Sequence, residues 1–118
     1  MRHRGLCHIH LAVRDIARSI RFYESAFGLE LLHRSGEMAF LRTPGRHECL
    51  TLRQVEDGRA GDVGGIDHFG FPLEDPSELD AAIDEVLAAG GRLIERGALE
   101  GGVPTAFVAD PDGYHIQL

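Results

Sequence analysis

Along residues 6–13 apolar and polar positions alternate. His8, His10 and Ala12 fall on one side and Ile9, Leu11 and Val13 on the other, which predicts a strand with one buried face. After Asp15 the period becomes helical. Ile16, Ile20, Tyr23 and Phe27 recur at i, i+4, i+7 and i+11 and form one apolar stripe, with Asp15 as the N-cap and Gly28 as the stop. Two short strands are then predicted over 30–34 and 38–42, joined by a tight hairpin at Ser35-Gly36. Thr43-Pro44-Gly45-Arg46 reads as a turn and 48–54 as a fourth strand. The order is β-α-β-β-β.

Residues 54–65 show neither period and are rich in glycine and charge, as a linker is. The pattern then starts again. Gly65-Ile66-Asp67-His68-Phe69-Gly70-Phe71-Pro72-Leu73-Glu74-Asp75 restates Gly5-Leu6-Cys7-His8-Ile9-His10-Leu11-Ala12-Val13-Arg14-Asp15, with a histidine seven residues before an aspartate in each copy. A short buried strand is predicted over 66–73. Asp75-Pro76-Ser77-Glu78 is a helix start, and Leu79, Ala82, Ile83, Val86 and Leu87 form the apolar stripe up to Gly90-Gly91. Strands follow at 92–95, 105–109 and 114–118, the last two joined by the turn Asp110-Pro111-Asp112-Gly113. His8 and His68 thus hold equivalent places in a duplicated unit.

Neither unit buries a sheet face alone. The expectation is an α+β fold of two tandem βαβββ modules forming a cupped mixed sheet around a cleft, with the helices outside. The chain is expected to be a single domain: module 1 over about 5–54, linker 54–65, module 2 over about 66–118.

Composition narrows the function. A length of 118 residues suits one domain, and no run approaches the roughly 20 apolar residues of a membrane span. The opening Met1-Arg2-His3-Arg4 does not lead into a signal-peptide pattern. Two cysteines, Cys7 and Cys49, are too few for a disulfide scaffold, so a cytoplasmic setting is expected. A net charge of -7 without a basic cluster argues against nucleic acid as a partner. All 12 basic residues are arginine, which excludes Schiff-base chemistry through a lysine.

The duplicated order, His-x-His-Leu-Ala-Val-x-Asp from His8, Arg-Phe-Tyr-x-x-x-Phe-Gly-Leu from Arg21, His68 in the repeat and Asp-Pro-Asp-Gly-Tyr-x-Ile-x-Leu from Asp110 resemble the vicinal oxygen chelate superfamily over essentially the whole chain. Its members include glyoxalase I, extradiol dioxygenases, fosfomycin-resistance thiol transferases, methylmalonyl-CoA epimerase and bleomycin-resistance binding proteins. The resemblance implies metal ligands on the first and last strand of each half. Those positions map onto His8 and His68, onto Thr51 at the end of the first half, and onto Gln117 at the end of the second. Two imidazoles and a carboxylate make a facial triad suited to Fe or Mn, and this chain has an amide where the family has Glu. The implied cofactor is a divalent ion: Fe, Mn, Ni or Zn.

His10 and His115 share strand faces with His8 and Gln117. They are candidates to complete a coordination set, to act as acid or base, or to line a polar pocket. His47 and Glu48 are expected to be exposed, and Cys7 and Cys49 to be small core residues, Cys7 facing away from His8. The leading expectation is a metal-dependent lyase, dioxygenase or transferase acting on a small oxygenated molecule, with glyoxalase I activity itself disfavoured for want of a carboxylate. The alternative is a non-catalytic small-molecule or antibiotic-binding protein of the bleomycin-resistance kind. The resemblance also implies a homodimer, often with halves exchanged between chains.

Overall fold

The structure, a computed structural model, describes residues 1–2, 6–64 and 66–118. Gly5 and Gly65, which open the two repeats in the sequence, lie outside the described residues. The chain divides into two compact units, Met1–Ala60 and Gly61–Leu118.

The first unit runs β1 (His8–Val13), α1 (Ile16–Phe27), β2 (Glu30–Ser35), β3 (Met38–Arg42) and β4 (Cys49–Gln54). Its four-stranded sheet has the order β1-β4-β3-β2, with β1 parallel to β4 and the other pairs antiparallel. Asp15 caps α1 as expected, its carboxylate accepting the Arg18 N–H at 2.9 Å, and Gly28 ends it at φ 62°. Ile16, Ile20 and Tyr23 are buried. Phe22, outside the expected stripe, is buried too and meets Tyr23 edge-on at 5.0 Å. Below the helix lie Leu11, Val13, Ala39, Leu41, Leu50 and Leu52, all on one face of the sheet. The hairpin loop is Gly36-Glu37, since Ser35 already pairs with Met38. Beyond β4 the chain stays on this unit: Val55 donates to the Val13 carbonyl, and Arg14 donates to that of the buried Ala60.

The second unit runs β5 (Phe69–Gly70), α2 (Leu79–Ala88), β6 (Arg92–Ala98), β7 (Pro104–Ala109) and β8 (His115–Gln117), in the sheet order β5-β8-β7-β6. Here β5 is parallel to β8 and the rest is antiparallel. Four expectations are corrected. The strand predicted over 66–73 shrinks to two residues; among the described residues it pairs only with β8, which has three. Nor is it a buried element: Phe69 is half-buried, and Ile66, His68 and Gly70 are exposed. The strand predicted over 92–95 extends to Ala98, carried by its antiparallel pairing with β7. Leu87 is exposed, and the core face of α2 is Leu79, Ile83 and Val86.

Asp75 does cap, but it caps a single 3-10 turn, Pro76–Glu78, that precedes α2. Asp110, fully buried, holds the β7–β8 turn by accepting the N–H groups of Asp112, Gly113 and Tyr114 at 2.8–2.9 Å. Among the described residues no helix is long and apolar enough to cross a membrane.

The two sheets share one register. In the first, Ile9, His10, Phe40 and His33 follow Leu50 and Thr51 as Phe69, Gly70, Phe107 and Glu95 follow Ile116 and Gln117 in the second. Even the bulges coincide, between Leu31 and His33 and between Leu93 and Glu95.

Candidate functional site

The shared register locates the candidate residues without ambiguity. His10 pairs with Thr51, and Gly70 pairs with Gln117, so Thr51 and Gln117 are the equivalent last-strand positions. His8 and His68 each lie two residues before those partners and are equivalent in turn.

In the first unit the alternation of β1 sends Leu11 and Val13 into the core and leaves His8 and His10 exposed on the opposite face. The same face carries Thr51, Arg53, Phe40 and His33 from the neighbouring strands, and there Glu30 accepts from Arg42 at 2.6 Å. Thr51 is buried despite this orientation. The imidazole of His10 is held below its ordinary pKa, first by partial desolvation, then by the charges of Arg53 and His8. Cys7 is not a core residue. It is exposed, and its Sγ lies 3.1 Å from His8 Nδ1. The expected orientation required a regular strand through Cys7, whereas β1 begins at His8. Cys49 is half-buried. His47 and Glu48 are exposed, as expected.

In the second unit the face opposite α2 carries His115 and Gln117 of β8 and Thr105 and Phe107 of β7. His68 stands edge-on to the Phe107 ring at 4.9 Å. Its Nδ1–H meets the Asp67 carboxylate at 2.6 Å. Gln117 donates through Nε2 to Thr105 Oγ1 at 3.3 Å. Gly70 permits the close approach of β5 to β8: a Cβ there would stand 3.1 Å from the main-chain carbonyl oxygen of Gln117. Sequence reasoning missed Asp67, Thr105 and Arg53 as neighbours of the candidates. Asp67 was visible as the residue beside His68, while Thr105 and Arg53 depend on strand pairing.

The donors suit a divalent metal. On both histidines Nδ1 faces a neighbouring side chain, Cys7 Sγ at His8 and the Asp67 carboxylate at His68, and the carboxylate favours the Nδ1–H tautomer of His68. Gln117 commits its NH2 group to Thr105 and keeps its oxygen for another partner. Among the described residues no three His, Cys, Asp or Glu side chains group around one point.

Duplicated βαβββ units in common register, each with a histidine ahead of the same strand pairing, define a protein of the vicinal oxygen chelate fold. The chain belongs to the Glyoxalase/Bleomycin resistance protein/Dioxygenase superfamily, whose model matches residues 5–118. It is similar to a lactoylglutathione lyase from Haemophilus influenzae, 32% identical across 96% of this chain and 90% of that protein. A catechol-2,3-dioxygenase from Bacillus subtilis is 29% identical across 92% of this chain but 38% of its own length. A glyoxalase-related enzyme from Fulvimarina pelagi superposes with a TM-score of 0.80 at 26% identity, covering 98% of this chain and 86% of that one.

Proposed function

We propose that this protein is a divalent-metal-dependent enzyme that acts on a small oxygenated molecule, a lyase, dioxygenase or transferase of the vicinal oxygen chelate type. His8 and His68 hold the ion through Nε2 and Gln117 through Oε1; Fe, Mn, Ni and Zn all accept this donor set. The observation that carries the reading is the matched register, which gives His8 and His68 equivalent places and Thr51 and Gln117 equivalent places. The bound ion supplies Lewis acidity toward adjacent substrate oxygens.

The chain's own residues bind, orient and move protons. His10, with its lowered pKa, is neutral near pH 7 and suits a proton acceptor, while His115 is the second acid–base candidate. The glyoxalase I reaction is the less favoured of the family's chemistries, since its proton transfer calls for a carboxylate and neither Thr51 nor Gln117 is one. The working form is a cytoplasmic homodimer.

A second reading, metal-free capture of an aromatic ligand, draws on the uncharged Gln117 and on the Phe107 ring beside His68. Metal analysis separates the two. Protein purified without chelator or affinity tag should carry near-stoichiometric Fe, Mn, Ni or Zn that disappears in His8→Ala/His68→Ala. A wild type that stays empty and ignores added metal overturns the enzyme reading in favour of sequestration.

A further inference from the structure

We propose that Thr105 is a positioning residue that fixes which end of the Gln117 amide faces a ligand. The inference rests on Gln117 acting as a donor, as argued above, and extends it to a residue with no assigned role.

Thr105 is 4% exposed, on the same face of β7 as Phe107 and diagonal to Gln117 across the β7–β8 pairing. A hydroxyl has one proton. Here that proton is spent on the Leu118 main-chain oxygen, 2.6 Å away. Toward Gln117 the Thr105 oxygen therefore presents only lone pairs. An amide oxygen turned to it would set acceptor against acceptor, so the NH2 group takes that side, at 3.3 Å. The amide oxygen is thereby turned away from Thr105 and kept as an acceptor.

A carboxylate at 117 would need no such device, because both its ends are acceptors. An amide does need one, because its two ends have opposite character. Rotated by half a turn, Gln117 would offer N–H groups to a cation and repel it. Thr105 is thus coupled to the presence of an amide at 117, and its loss should matter only while that amide is there.

The test uses Mn(II) binding by equilibrium dialysis together with NMR of the metal-free protein. In wild type the Gln117 side-chain NH2 protons should show through-space contacts to the Thr105 methyl. Thr105→Ser should keep Mn(II) affinity within about twofold, while Thr105→Val, of nearly the same shape, should weaken it about tenfold, the lower end for groups that orient metal ligands. In a Gln117→Glu background Thr105→Val should leave affinity unchanged. Equal losses in both backgrounds, or none in either, overturn the proposal, as does a wild-type amide lacking contact with Thr105. A wild type that binds no Mn(II) yet shows the NMR contacts sinks the metal reading alone, and the orientation of the amide stands.

Discussion

The two units repeat one plan, and they differ in the first strand, the last strand and the helix. The first strand has six residues in the first unit and two in the second. The last strand has six residues in the first unit and three in the second. Beside the aliphatic Ile16 and Ile20, α1 buries the aromatic Phe22 and Tyr23, whose rings lie 5.0–5.9 Å from each other and from half-buried Phe27, whereas α2 buries only the aliphatic Leu79, Ile83 and Val86. The shared register survives these differences. Strand pairing and bulge position, rather than core composition or strand length, are what preserve the geometry of the candidate residues.

Truncation of the two cores should sharpen that contrast most. Phe22→Ala removes a ring 1% exposed and should cost about 4 kcal/mol, against about 3 kcal/mol for Ile83→Ala, read from denaturant unfolding. A larger loss from Ile83 would mean that the aliphatic helix is the better-packed of the two. The first strands come next. Amide protons of β1, paired along all six residues with β4, should exchange on the order of tenfold more slowly than those of β5. Equal protection would remove strand length as a distinction between the units.

The smallest expected effect concerns the caps. The Asp15 carboxyl is held below 3.8, chiefly by the Arg18 backbone N–H, and that of Asp75 is lowered by the Ser77 hydroxyl and N–H. A carboxyl lowered in the folded state stabilises fully above its unfolded pKa, and that contribution is lost as pH falls through the folded value. Stability should therefore decline below about pH 4 partly through these groups. Asp15→Asn still caps but does not titrate, so its acid limb should be shallower than that of wild type. An unchanged limb would show that Asp15 takes no part in the acid response. The same comparison at Asp75 asks whether the 3-10 turn matters as much as the start of α1.

Much of this was readable from local pattern. The cap, stripe and terminal glycine of α1 are contained in consecutive residues, and so is the Asp110 turn. Candidate histidines were legible from the repeat itself. What escaped depends on partners distant in sequence. The length of β5 goes with that of β8, the burial of Phe22 with the sheet beneath α1, and the contact of Thr105 with Gln117 with the pairing of β7 and β8. Cys7 was misread for a different reason: its orientation turns on where regular strand geometry begins, a boundary that alternation alone does not mark.

The pairs His10–Thr51 and Gly70–Gln117 have a consequence for the interchangeability of the halves. At each crossing one strand brings a large polar side chain and the other a small residue, and the assignment is reversed between the copies. In the first half the reach comes from the opening strand, in the second from the closing one. A protein assembled from two first halves would retain the plan and gain histidines, yet carry a short hydroxyl where the second half carries an amide. Two second halves would provide amides in duplicate and no counterpart to His10. The copies have become complementary, so each is a passable substitute for the other as scaffold and a poor one as chemistry.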